Sequence, residues 1–330
     1  MGAYLNTMPN SLLMWEQKKD YNLGFDLKAF GLSLSFDIYR ADTKNMLTNV
    51  TIPTSTGFSS VKDNLGLVRN SGVEIKANYT PFSSKNGFLS VYGSFVYTKN
   101  KIITLSESMR EYNARMMALA AENTQSAPVL MYQDGLSMNT IWAVPSAGID
   151  PQSGNELYIK KDGTLTYAYD SSDMIAAGDA TPKYRGNAGF TAENKGFGLT
   201  ATLTYLAGGQ MYNSTLVSRV EDADIRYNVD RRVLTGRWQT PGQVTQYKRY
   251  NANSVTRATT RFVQDRNELS LSSISAYYEF PKSIYSKLYM QRLRFAAYLN
   301  DVATFSSIKV ERGTSYPFAR TLSFSLSATF

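Results

Sequence analysis

Apolar and polar positions alternate along much of the chain. In the C-terminal stretch Leu322, Phe324, Leu326, Ala328 and Phe330 interleave with Ser323, Ser325, Ser327 and Thr329. Successive residues of a strand point to opposite faces, so this stretch has one apolar and one hydroxylated face. The pattern repeats over 30–39, 197–205 and 293–300. It predicts nine strands, at about 19–29, 31–40, 67–81, 88–99, 183–193, 197–209, 267–280, 290–300 and 318–330. Most exceed the roughly 5–6 residues usual in soluble sheets. They match the roughly 9–11 residues that a tilted strand needs to cross a bilayer.

The links between these strands alternate in length. Short links fall around Phe30, at 83–87, at 194–196 and at 281–289; long ones cover 41–66, 100–182, 210–266 and 301–317. All short links therefore lie at one end of an antiparallel sheet and all long ones at the other, the asymmetry of outer-membrane barrels. The expected fold is all-β, an antiparallel transmembrane β-barrel segment with short periplasmic turns and long extracellular loops. In that orientation the last strand ends at Phe330 on the periplasmic side, and residues 1–18 begin outside. Within the long links, 106–123 predicts an amphipathic helix with Ser106 and Glu107 as cap residues. Residues 156–169 predict a hairpin turning at Asp162-Gly163. No linker or second domain is read.

Composition narrows the chemistry. The 330 residues include no histidine and no cysteine. A Ser-His-Asp triad, a cysteine nucleophile and the usual zinc sites are thereby excluded, as are disulfides. A spanning helix needs about 18 apolar residues in a row, and the longest run is Met116–Ala121. With 43% hydrophobic residues, 23 Tyr and 16 Phe, the chain is too apolar for disorder. From Met1 onward there is no basic n-region and no apolar h-region. The chain reads either as not exported or as beginning inside a longer protein.

Several segments resemble one family. Pro9-Asn10-Ser11-Leu12 through Trp15-Glu16, then Tyr21-Asn22-Leu23-Gly24-Phe25-Asp26, is similar to the "NPNLKWE…YNIGLDF" segment of SusC/RagA-type TonB-dependent outer-membrane transporters. Asp37-Ile38-Tyr39, Pro53-Thr54-Ser55-Thr56-Gly57-Phe58, Asn64-Leu65-Gly66 and Asn70-Ser71-Gly72-Val73-Glu74 follow in order. Gly148-Ile149-Asp150-Pro151 with Gly154 resembles "GIDPxTG". Gly178-Asp179 with Pro182-Lys183-Tyr184 and Gly186 resembles "GDxxPKYxGG", with Asn187 departing from it. Tyr316-Pro317 and Ala319-Arg320 fit the closing segment. Each motif alone is weak; their order along the chain is what carries the resemblance.

The resemblance implies that residues 1–330 are the C-terminal portion of such a barrel, without plug, TonB box or earlier strands. It implies import of an oligosaccharide or peptide in the outer membrane of a Gram-negative bacterium. The implied partners are a SusD-like surface lipoprotein, and the TonB complex acting through the missing N-terminal part. The apolar strand faces are expected to meet outer-membrane lipid. Tyr39, Tyr79, Phe82, Tyr97, Tyr205, Phe280 and Tyr298 are expected in interfacial girdles. Two alternatives are a complete small outer-membrane pore or adhesin barrel, and a soluble β-rich carbohydrate-binding protein.

Candidate contacts to substrate lie in the long links: Trp142, Trp238, Tyr247 and Tyr250, whose rings can stack on sugars, and Arg237. The plainer use of these aromatics is to pack the loops. Residues 210–266 hold ten Lys/Arg against five acids, most of the net charge of +8. That stretch could attract an anionic ligand or be a solvated loop with internal ion pairs. No nucleic-acid-binding pattern accompanies the charge. The pairs Glu221/Asp222 and Asp170/Asp173 raise glycosidase or calcium readings. The first needs two carboxylates facing across a cleft; the second needs more oxygen ligands at regular spacing. The chain is read as non-enzymatic, with no cofactor and no metal.

Overall fold

The computed structural model describes residues 8–52, 54–122, 126–250, 255–309 and 320–330. Nine long strands form one antiparallel sheet: β1 (Gln17–Ala29), β2 (Leu32–Lys44), β3 (Gly66–Ser84), β4 (Gly87–Leu105), β5 (Tyr184–Asn194), β6 (Phe197–Tyr212), β7 (Val263–Glu279), β8 (Arg292–Ser306) and β9 (Leu322–Thr329). Each pairs with its chain neighbours, a meander from β1 to β9. All nine predicted strands are present. Most run further than expected at the long-link end; β2 continues to Lys44 and β4 to Leu105. There the ladder outlasts the alternation, because polar residues such as Asn100 and Lys101 occupy successive positions.

Two of the short links are two-residue turns. Phe30 and Gly31 have φ of 50° and 78°, and Lys195 and Gly196 have 49° and 85°. Positive φ at both central residues is the type I′ geometry that matches strand twist. At Gly31 a side chain would also come within 2.8 Å of the Thr80 carbonyl oxygen.

The register keeps the two faces separate across neighbouring strands. One rung joins Leu23, Ile38, Val73 and Tyr97; another joins Phe25, Phe36, Ile75 and Phe95. The opposite face carries rungs such as Ser35, Lys76, Ser94, Asn187 and Thr204. Hydrogen bonds run between strands on this polar face: Ser94 to Asn187 (3.0 Å), Tyr92 with Thr202 (2.7 Å) and Thr191 with Thr200 (3.2 Å). Tyr79, Phe82, Tyr97, Tyr205 and Phe280 follow the apolar register, as a girdle requires. Tyr39 and Tyr298 do not. Their rungs, with Gly72 and with Ser323, belong to the polar face. Counting alternation from the neighbouring Ile38 and Leu299 gives the same answer.

The core lies at the long-link end, where the links fold back over the polar face. Val68 and Ile102, on that face of β3 and β4, are fully buried by Val50, Leu65 and helix α1 (Glu107–Glu122). The predicted helix and hairpin are both present; Leu165 and Thr166 pair with Ile159 and Tyr158. Three further short pairings were not expected. Leu47–Thr51 pairs with Ser60–Asn64, and Thr140–Ala143 with Ile175–Asp179; Ser146–Ile149 extends the hairpin. Residues 140–143 are buried on both faces, so no alternation marks them. Tyr316, Pro317 and Ala319 of the closing motif, Pro53, and the first part of the predicted ninth strand lie outside the described residues.

Candidate functional site

The folded-back links make a cap over one end of the polar face, and three small apolar cores hold it. The first joins Leu65, Val68 and Ile102 to Met109 and Tyr112 of α1 and to Tyr132. Ser106 caps α1 by accepting from the Met109 N–H (3.4 Å) and donates to the Asn64 carbonyl (2.5 Å). Asp134 accepts from the Leu105 N–H (2.6 Å) and from Arg110 (2.9 Å). The second core gathers Ala120, Met131, Trp142, Val144 and Met174. The third gathers Leu216, Val217, Val220, Val233, Tyr247 and Phe262.

A buried ion network ties these links together. Arg261 donates to Glu156 (2.9 Å), to Glu221 (2.7 Å) and to the Gln246 carbonyl (2.7 Å). The Thr259 hydroxyl donates to Glu156 (2.8 Å). Burial alone would lower the pKa of Arg261, but the two carboxylates outweigh it and hold the guanidinium above its ordinary value. The other oxygen of Glu221 is buried without a hydrogen-bond partner. One cation therefore joins residues about a hundred positions apart.

The five expected contact residues separate by burial. Trp142 is 8% exposed and donates its indole N–H to the Met131 carbonyl (2.8 Å). Arg237 is 6% exposed and donates to the carbonyls of Val233, Lys248 and Glu221, at 3.1, 3.1 and 2.8 Å. Tyr247 is buried in the third core. These three side chains face the interior of the cap, and the expectation that they meet a substrate does not fit their burial. The structure gives them the plainer packing use. Tyr250 is 42% exposed, with the Arg237 guanidinium 5.8 Å from its ring centre. Trp238 is half-buried and donates to the Pro151 carbonyl (2.8 Å).

The Gly148–Gly154 motif builds the seat for Trp238. Asp150 accepts from the Gln152 and Ser153 N–H groups (3.0 and 3.1 Å) and from the Tyr167 hydroxyl (2.7 Å). Hydrogen bonds from Ser153, Tyr167 and Gln152 hold its carboxyl down at about 2. Gly154 has φ of 70°, and a side chain there would stand 2.4 Å from the Trp238 ring.

Both expected carboxylate pairs have structural work instead. Glu221 is in the Arg261 network. Asp222 accepts from the Thr256 N–H (2.7 Å) and pairs with Lys248 (3.3 Å). Asp170 caps the 171–173 turn through the Ser172 N–H (2.8 Å), and Asp173 accepts from the Lys161 N–H (3.0 Å). Among the described residues no three acidic groups are placed to hold a metal. Much of the basic stretch is neutralised internally. Arg226 pairs with Asp224 (2.6 Å) and Arg232 with Asp230 (2.7 Å). The Arg226 hydrogen bonds hold the Asp224 carboxyl at about 2.

One feature was not anticipated from the sequence. A groove of about 650 Å3 opens on the cap, lined by Ser218, Arg219, Asp222, Asp224, Tyr227 and Asp230 among others. Tyr227 is largely exposed there. Its sequence signal is slight: the acids Asp222, Asp224 and Asp230 within the basic stretch. Mixed charge beside an exposed ring suits binding of a polar solute. At the other end of the polar face, Tyr277 donates to Glu193, Arg292 pairs with Glu279, and Arg294 lies 3.5 Å over the Tyr277 ring centre.

Comparison with known proteins fits this architecture. The family model described as TonB dependent receptor-like, beta-barrel, matches residues 1–213. TonB-dependent receptors P3 and P39 of Formosa agariphila are 24% and 23% identical, over 92% and 90% of this chain. The alignments cover 31% and 32% of those relatives, so the chain spans about a third of their length. The solved RagAB peptide transporter superimposes with a TM-score of 0.72 at 22% identity, over 94% of this chain and 34% of its own. Its open-open state gives 0.70. These likenesses leave no place for the soluble alternative, since such barrels are outer-membrane proteins of Gram-negative bacteria. An antiparallel meander with one apolar and one polar face, capped at its long-link end, is such a barrel's wall: the chain belongs to the TonB-dependent receptor-like β-barrel family.

Proposed function

We propose that the nine strands form a continuous part of the wall of a larger outer-membrane nutrient importer, residues 1–330 being its C-terminal portion. The long-link end faces the cell exterior and Phe330 lies on the periplasmic side. The observation that carries this reading is the cap folded over the polar face. A wall so arranged presents its grooves to solute at the outer mouth and a wet, hydrogen-bonding surface below. A 22-stranded barrel encloses a plugged lumen, and the sheet here has nine strands with β1 and β9 at its edges.

The cargo we propose is an oligosaccharide or a peptide. The shared fold with a peptide transporter supports the second, and exposed rings support either. Tyr250 and Trp238 are the two residues of the original five that still present surface to a solute, and the Arg219–Tyr227 groove joins them as a candidate. In this reading a SusD-like lipoprotein covers the outer mouth, and TonB drives transport through a plug. The chain's own residues bind and guide.

Uptake in cells that lack or regain the gene tests the reading. Uptake of fluorescent oligosaccharides or oligopeptides is expected to fall on deletion, to return with the gene, and to stop when a protonophore collapses the proton gradient. Unchanged uptake, or uptake indifferent to the gradient, would overturn it.

A further inference from the structure

The apolar face of β1–β4 ends, at the long-link side, in two rungs of very different character. The last apolar rung is Leu23, Ile38, Val73 and Tyr97. The next is Tyr21, Arg40, Ser71 and Lys99, and the one beyond it is Lys19, Asp42, Arg69 and Lys101. Five cations thus share one surface with a single carboxylate, a net of +4. Asp42 bridges the two guanidiniums, at 2.8 Å to Arg40 and 2.7 Å to Arg69. It fixes their orientation without matching the surrounding charge. Lys19, Lys99 and Lys101 are exposed and make no ion pair among the described residues. The cap folds mainly over the opposite face; its Gly135 runs beside the Lys101 stem, and the three lysines stay exposed.

A second observation lies directly below. A groove of about 490 Å3 runs along the same face, lined by Tyr21, Leu23, Ile38, Val73 and Tyr97, with Arg40 at its rim. Its exposed lining is mostly apolar, with Tyr21 and Ser71 toward the cations. Cations above an apolar groove, at the border of a lipid-facing surface, match one kind of molecule: an acylated anion. Strands sit about 4.8 Å apart, so the four-strand rung from Lys19 to Lys101 covers roughly 15 Å. That is the span of a sugar-phosphate headgroup rather than of one phosphate.

We propose that this patch and groove form a binding site for a phosphorylated glycolipid of the outer leaflet. Its phosphates are held by Arg40, Arg69 and the three lysines, and an acyl chain lies in the groove. Arginine and lysine bind phosphate oxygens through charge-assisted hydrogen bonds, and basic clusters at a membrane surface attract anionic headgroups. The site rests on the proposed orientation, with the long links outside.

The test uses the protein extracted from its own outer membrane in mild detergent, analysed by native mass spectrometry. The probes are phosphorylated lipid A, its dephosphorylated form, phosphatidylcholine and inorganic phosphate. One phosphorylated glycolipid per chain is expected to be retained. The dephosphorylated lipid and phosphatidylcholine should bind at least tenfold more weakly, and millimolar phosphate should not compete. Joint Lys19→Gln, Lys99→Gln and Lys101→Gln substitution, which breaks no ion pair, should weaken retention about tenfold or more. Lys28→Gln with Lys76→Gln, on the other face, should leave it unchanged. Equal retention of dephosphorylated lipid, effective competition by phosphate alone, or a triple variant that binds like the wild type would each overturn the site. Orientation is read separately. The chain has no cysteine, so an impermeant maleimide on whole cells should label Asp162→Cys and spare Lys85→Cys. The reverse pattern would sink the orientation; correct labelling with failed lipid binding would sink this site alone.

Discussion

The wall and the cap satisfy their polar groups in different ways. In the wall, backbone groups pair across the ladder, and side chains such as Ser94, Asn187 and Thr191 add short bonds between adjacent strands. Every partner is set by register, and removing one leaves its neighbours in place. In the cap, partners come from remote parts of the chain. Arg261 joins Glu156 to Glu221, and Arg237 closes the third core on carbonyls from three segments. A wall of this kind is strong because it is repetitive. The cap is held at a few points, so its order depends on single residues.

Breaking one such point should separate the two regions most sharply. Arg261→Ala would leave two buried carboxylates without their cation, a loss of about 3–5 kcal/mol. Hydrogen exchange should rise across 213–262 while the wall strands keep their protection. Equal protection of the cap before and after would contradict its dependence on this network. Ile102→Ala removes side-chain volume from a fully buried position shared by wall and cap, and should cost about 2–5 kcal/mol. It should loosen α1 in a protease-sensitivity assay without altering strand content by circular dichroism. Gly154→Ala must adopt positive φ and displace the Trp238 ring, a strain of roughly 1–3 kcal/mol. Trp238 emission should shift toward that of an exposed indole.

The smallest effect is a dependence on pH. The Asp150 carboxyl is held at about 2, below its ordinary 3.8. A depressed carboxylate contributes stability that is complete above its unfolded value and fades as pH falls toward the folded one. Exchange within 148–167 should therefore rise between about pH 4 and pH 2, and Asp150→Asn should remove that step. A step that survives the substitution would assign it to another group.

The same contrast explains what could be read from sequence. The wall was legible because alternation states both the strand and its face, as at 322–330. Long and short links then gave the meander. Tyr39 and Tyr298 were assigned to the girdle by residue type, although parity with Ile38 and Leu299 puts them on the other face. In the cap, α1 and the Asp162-Gly163 turn carry local signals and were found. Residues 140–143 have no alternation because both of their faces are buried. Trp142 and Arg237 were candidates for substrate contact because aromatic and cationic residues in a loop give no sign of what folds over them. The Glu156–Arg261 pair joins positions 105 apart, and nothing in one sequence links them.

The central claim is that the two faces of the sheet meet different solvents, lipid and water. Spin labels at successive single cysteines along 33–38 of β2 test it most directly, in the protein reconstituted in membranes. Labels at Leu34, Phe36 and Ile38 should collide with dissolved oxygen and avoid a water-soluble nickel complex. Labels at Ser33, Ser35 and Asp37 should do the opposite, giving a strict two-residue period. Accessibility without that period, or equal access of the nickel complex to both sets, would contradict the account.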